Sequence, residues 1–186
     1  MTCSETAPAA AGICLITGRS GSGKTSLLVD YINSLGSSGR SLIGGVLSLS
    51  HPGKDHRSYR ILQLSDGVSY DLSSSDPAEP CLQIGPHRLS ESALARACTR
   101  IIKDLADFQF IVLDEVGILE LSGQGLSSAV HACLQSSRHL IFTVRTANLD
   151  RFSSLLKSYP LRSFTMQAIA GSIEAAGQIN SFIKSA

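Results

Sequence analysis

The stretch Ile13-Cys14-Leu15-Ile16-Thr17-Gly18-Arg19-Ser20-Gly21-Ser22-Gly23-Lys24-Thr25 decides the fold. Residues 13–17 are a short apolar run rich in β-formers, which predicts a buried strand. From Gly18 to Thr25 every fixed position of G-x-x-x-x-G-K-[ST] is met. Helical spacing follows at once in Leu27, Leu28, Tyr31, Ile32 and Leu35, with Gly36 as a stop. A strand, a glycine-rich turn and a helix opening on Lys24-Thr25 form a phosphate cradle. Glycine lets backbone N–H groups approach phosphate oxygens. The helix points its positive end at the same anion. Lys24 is predicted to reach the β- and γ-phosphates and Thr25 to ligate Mg²⁺. The expected nucleotide-binding segment is Gly18, Arg19, Ser20, Gly21, Ser22, Gly23, Lys24, Thr25 and Ser26.

Outward from this P-loop, apolar runs and helical periods alternate. Residues 42–47, 108–113 and 140–144 read as strands, and 163–166 as a further one. Helices are expected over 90–107, 125–135 and 150–157. A closing helix follows from Ile173, Ala176, Asn180 and Ile183. The alternation predicts an α/β fold, a three-layer α/β/α sandwich with a mostly parallel central sheet. Residues 48–89 read as an insertion. In it Tyr59–Leu64 and Val68–Leu72 flank Ser65-Asp66-Gly67, a hairpin signal, and because Ser, Pro and Gly crowd the remainder, part of the insertion is expected to be mobile. Residues 1–11 read as a disordered tail and 12–186 as one domain.

Asp114-Glu115 ends the strand expected over 108–113. In open parallel sheets ligands sit beyond the carboxyl ends of the strands, so this pair falls on the edge that carries the P-loop. Asp114 is expected to hold the Mg²⁺ shell with Thr25. Glu115 is placed to orient and deprotonate an attacking water, or else to make a surface ion pair. Glu120 is open between positioning water and bracing its loop; Asp150 has a weaker claim. A cation should meet the charge that develops on the γ-phosphate. Arg145, at the end of the fourth strand, is the first candidate; Arg19 and Arg162 follow. His51, His56, His87, His131 and His139 show no ligand spacing.

The 186 residues carry 16 Lys and Arg against 15 Asp and Glu, which excludes a protein that binds nucleic acid by bulk charge. Aromatics make up 5% and Trp is absent, so base-stacking platforms are poorly supplied. A hydrophobic fraction of 43% suffices for a core without staples. Cys3, Cys14, Cys81, Cys98 and Cys133 show no C-x-x-C spacing and read as reduced thiols, with no disulfide. Neither a membrane span nor a signal peptide is evident, so a cytoplasmic setting is expected.

The run Leu113-Asp114-Glu115-Val116-Gly117-Ile118-Leu119-Glu120-Leu121 resembles the D-E-[IV]-G-x-[LM]-E-L signature of the small P-loop nucleoside-triphosphatase family. These are the bacterial and archaeal enzymes related to the human cancer-related nucleoside-triphosphatase. The P-loop, Gly45-Val46-Leu47, Val144-Arg145 and Asn148-Leu149 are similar in the same order, over residues 13–150. The resemblance implies slow Mg²⁺-dependent hydrolysis of ATP, GTP and other nucleoside triphosphates to diphosphate and phosphate. It carries over Gly23, Lys24 and Thr25 as phosphate and metal contacts, Asp114 as metal partner and Glu115 as base. Ser48-Leu49-Ser50-His51-Pro52-Gly53-Lys54-Asp55 departs from the Thr-Glu-Glu-Val-Arg-like segment of the family, and Arg57 or Arg60 is a candidate replacement for its arginine. Two other readings share the fold: a kinase phosphorylating a small molecule or nucleotide, with 48–89 as acceptor pocket or lid, and a nucleotide-dependent accessory switch.

Overall fold

The computed structural model describes residues 11–52, 58–159, 164–169 and 174–185, the third of these by its backbone alone. The expected tail lies almost wholly outside the described residues, as do Cys3, His56, Arg57, Arg162 and Ile173.

The chain runs β1 (Ile13–Gly18), α1 (Lys24–Ser34), α2 (Ser37–Arg40), β2 (Ile43–His51), β3 (Ser58–Gln63) and β4 (Ser69–Asp71). It continues with β5 (Cys81–Ile84), β6 (His87–Ser90), α3 (Glu91–Asp107), β7 (Phe110–Val116), α4 (Ser127–Gln135) and β8 (His139–Arg145). It closes with α5 (Leu149–Leu156), β9 (Phe164–Ile169) and α6 (Ala175–Lys184). Among the described residues seven strands form one sheet in the order β4-β3-β2-β7-β8-β1-β9. From β2 to β9 neighbours are parallel, whereas β3 and β4 extend the β2 edge antiparallel. The expected hairpin is thus part of the main sheet.

Period-two alternation explains the continuous apolar runs. A central parallel strand is covered on both faces, so both of its side-chain rows must be apolar. Ile13 and Leu15 of β1, Ile111 and Leu113 of β7, and Leu140, Phe142 and Val144 of β8 enter the core beneath α3, α4 and α5. Cys14, Ile16, Phe110, Val112 and Ile141 enter the opposite core, with Leu28 and Tyr31 of α1 and Ile179 and Phe182 of α6. Burial pushes the Cys14 thiol up to about 12, so it packs as a small apolar group.

Two local features tune the frame. Ser90 caps α3, its Oγ accepting from Ala93 N–H at 3.1 Å. Gly45 lies inside β2 at φ 101°, where a Cβ would stand 2.0 Å from the Val112 carbonyl oxygen. Its N–H donates to the buried Asp104 carboxylate at 2.8 Å, and Arg100 pairs with that carboxylate at 2.6 Å.

The sequence expectations need three corrections. The strand bearing Asp114 and Glu115 continues to Val116, so the pair lies within it. Gly125 stands outside α4, at φ 58°. In the insertion, part of which is expected to be mobile, residues 81–89 join Ser90 in a two-stranded ribbon that turns at Gly85-Pro86. Of the remainder of that insertion, residues 53–57 lie outside the described residues. Cys14, Cys81, Cys98 and Cys133 form no disulfide. Among the described residues no helix is long and apolar enough to cross a membrane.

Candidate active site

The phosphate loop leaves β1 at Gly18 and enters α1 at Lys24. Gly21 at φ 74° and Gly23 at φ 86° turn it through backbone that favours glycine. The first turn of α1 carries no acidic side chain of its own, and its positive end faces the cleft that Lys24, Thr25 and Ser26 line. Lys24 is buried, and its Nζ donates to the Arg19 carbonyl at 3.0 Å and the Gly18 carbonyl at 3.3 Å. The ammonium is therefore held over its own loop. Residues 20–26 line a cleft together with Ser48, Ser50, Tyr59, Glu115 and Arg145.

Strand order brings the acidic pair to this cleft. β8 separates β1 from β7, and Gly18 of β1 is in register with Arg145 of β8. On the other flank Leu113 pairs with Phe142, but Val116 pairs with Val144. Asp114 and Glu115 thus stand together opposite Thr143. This bulge re-aims side chains that a regular strand would send to opposite faces. Both carboxylates consequently reach the cleft edge.

Their surroundings differ sharply. Asp114 is 1% exposed. Its Oδ2 accepts from Thr25 Oγ1 at 2.9 Å and from Ser48 N–H at 3.1 Å. Its Oδ1 accepts from Thr143 Oγ1 at 2.5 Å. Burial raises its pKa, and the three donors oppose that shift. Glu115 is more open, its side chain 26% exposed, and Arg145 grips both of its oxygens. Arg145 Nε donates to Oε1 at 2.6 Å and Nη2 to Oε2 at 3.1 Å. The carboxylate in turn raises the guanidinium pKa.

Glu120 is buried. Its Oε2 accepts from Gly117 N–H at 2.8 Å and its Oε1 from Leu126 N–H at 3.1 Å. Of its two expected roles the geometry fits the brace: one carboxylate ties the ends of the loop after β7. Burial raises its pKa against those two donors.

A family model described as NTPase matches residues 13–169. The chain belongs to this NTPase family. The NTPase is 25% identical over 127 residues to "Nucleoside-triphosphatase THEP1" of Methanosarcina barkeri, covering 68% of this chain and 72% of that protein. It is 26% identical over 130 residues to the THEP1 of Methanopyrus kandleri, covering 70% and 71%. Its fold is like that in the solution structure of a human cancer-related nucleoside triphosphatase. That match has a TM-score of 0.63 at 19% identity and covers 95% of this chain and 97% of the other.

The structure brings Lys24, Thr25, Ser26, Asp114, Glu115 and Arg145 to one edge of the NTPase sheet. Arg19 is exposed, and its carbonyl accepts from Lys24 Nζ and from Ser22 N–H. Asp150 is exposed in the first turn of α5, where it complements the helix dipole. His51 is exposed at the end of β2, and His139 accepts from Gly12 N–H at 3.1 Å. Arg60 pairs with Asp71 across the β3–β4 edge at 3.0 Å. Sequence reasoning missed Thr143, whose signal is a hydroxyl within an apolar strand. It also missed Ser48, which contributes a backbone N–H and so leaves no mark in residue type.

Proposed function

We propose that the protein is a hydrolase that cleaves the γ-phosphate from nucleoside triphosphates, giving diphosphate and phosphate. The observation that carries this reading is Glu115 on the same cleft as the P-loop, with Arg145 beside it. Family membership and the THEP1 relatives support it.

In this mechanism the backbone N–H groups of residues 20–25 and the start of α1 receive the polyphosphate. Lys24 leaves the two loop carbonyls for phosphate oxygens, which are stronger acceptors. The γ-phosphate competes with Glu115 for Arg145. As the guanidinium turns to the phosphate, a Glu115 oxygen becomes available to accept a proton from water. Water then attacks in line, and the diphosphate oxygen leaves with the bonding electron pair. A positioned base of this kind accounts for about 10²–10⁴-fold in rate.

Thr25 Oγ1 and the Asp114 carboxylate, 2.9 Å apart, are hard oxygen donors of the kind Mg²⁺ prefers. These two residues would hold the ion, which neutralises charge on the β- and γ-phosphates when bound. The free thiols of Cys14, Cys81, Cys98 and Cys133 favour a cytoplasmic setting.

Phosphate release from ATP, GTP, CTP and UTP, with Mg²⁺ and with chelator in excess, tests the reading. Release with Mg²⁺ should exceed the chelated control by at least about tenfold. Equal release in both would remove the metal assignment, and none above background would remove the hydrolysis.

A further inference from the structure

Behind Glu115 and Arg145 lies a second space. A cavity of about 110 Å³ sits between the sheet edge, α3 and the β5–β6 ribbon. Its body is apolar, walled by Ile61, Leu72, Ile84, Leu89, Leu94 and Leu126. Its polar end is the catalytic edge itself. Ser48, Tyr59, Glu115 and Arg145 line both this cavity and the phosphate cleft. That group stands between the phosphate cleft and the apolar chamber.

Hydrolysis needs no such chamber, because water requires neither apolar walls nor shape. A cavity this size accepts a body of roughly four heavy atoms, since about 150 Å³ of apolar cavity holds the six of benzene. Charge narrows the occupant. Three carboxyl groups, of Asp114, Glu115 and Glu120, face the cavity against the imidazole of His87 and the guanidinium of Arg145, which already serves Glu115. An anionic molecule would meet more carboxyl groups than cations, so a nucleotide or a hydroxy acid is disfavoured.

We propose that this cavity binds a second substrate, a neutral or amine-bearing small alcohol with an apolar body, and that the protein transfers the γ-phosphoryl group to its hydroxyl. The proposal rests on the phosphate site read above. The acceptor oxygen forms a bond to the γ-phosphorus while the bond from that phosphorus to the β,γ-bridging oxygen breaks. Nucleoside diphosphate leaves with the electron pair. The hydroxyl proton passes to Glu115 and on to solvent. The apolar walls hold the body of the alcohol, displace water from Glu115 and raise the effective concentration of the hydroxyl beside it.

The test follows ADP and inorganic phosphate together in reactions of the full chain with ATP and Mg²⁺. Isobutanol, cyclopropylmethanol, alaninol and 2-aminobutan-1-ol are the probes. 3-Hydroxyisobutyrate, in which a carboxylate replaces one methyl of isobutanol, is the control. At least one neutral or amine-bearing probe should make ADP exceed phosphate by about tenfold, with the matching phosphate monoester seen by phosphorus NMR. Ile84→Trp, and separately Leu94→Phe, should fill the cavity. They should abolish the excess while alcohol-free hydrolysis, which reports an intact fold, persists. ADP equal to phosphate with every alcohol overturns the proposal. So does a joint rise of both products, because water then remains the acceptor. An excess that 3-hydroxyisobutyrate also gives, or that survives both cavity-filling variants, overturns the assignment to this cavity. Hydrolysis is scored separately in the alcohol-free reaction: its absence would sink the phosphate-site reading, whereas its presence with no excess sinks only the transfer.

Discussion

Two walls meet at the cleft, and they are built on different principles. One is the carboxyl ends of β1, β7 and β8, where nearly every group is fixed by a named hydrogen bond. Thr25, Ser48 and Thr143 converge on Asp114, and Arg145 holds Glu115 by both oxygens. The other is the β3–β6 wall, which presents mostly aliphatic side chains. The polar wall determines where charge can develop. The apolar wall can change what fits without touching that chemistry. Phosphate chemistry constrains residue type and spacing, whereas apolar shape is met by many side-chain combinations.

That contrast can be broken at several points. Lys24→Met removes the only ammonium among residues 18–26 and leaves the fold-defining glycines in place. Turnover per unit nucleotide should fall by about 10³-fold, with weaker nucleotide binding. Phosphate release and nucleotide titration check this, and normal behaviour in both would detach the loop from the chemistry. Arg145→Ala should lower turnover by about 10- to 100-fold, because it removes a cation and leaves Glu115 unpositioned. If Arg145 were only a surface partner of Glu115, the variant would turn over like the wild type.

Glu120 gives the smallest and sharpest effect. Its folded pKa is raised by burial above the ordinary value of about 4.3 expected in the unfolded chain. Below that ordinary value both states carry the proton. As pH rises through it and up to the folded pKa, the unfolded state loses the proton first, so stability declines. Glu120→Gln carries no such proton. The urea-midpoint advantage of wild type over this variant should therefore be greatest near pH 4 and shrink toward neutrality. An advantage that grows with pH would show that the two backbone donors overcome burial.

The polar wall was legible because its physics is local. Gly18 to Thr25 announces itself through residue type at fixed spacing, and Asp114-Glu115 through its place after an apolar strand. The non-local parts were silent. Strand order is decided by packing between distant segments, so nothing near Arg145 revealed that β8 lies between β1 and β7. The bulge at Asp114 and Glu115 is a relation between two strands. Ser48 acts through its backbone, and Thr143 resembles an ordinary β-former. The β5–β6 ribbon turns at Gly85-Pro86 on short strands whose polar residues resemble a loop. From its place in the loop Glu120 reads equally as a water-positioning group or a brace; Gly117 N–H and Leu126 N–H identify it as the brace.

The central claim is that two neighbouring carboxylates have divided labour: Asp114 is buried for binding, and Glu115 is open for proton transfer. Glu115→Gln tests it most directly, because the amide keeps the size of the side chain and one oxygen acceptor but cannot serve as a base at neutral pH. Nucleotide affinity and single-turnover phosphate release should be measured on the same preparation. Affinity within about threefold of wild type, with release slowed by about 10²–10⁴-fold, is the predicted result. Release at the wild-type rate with unchanged affinity would contradict the account.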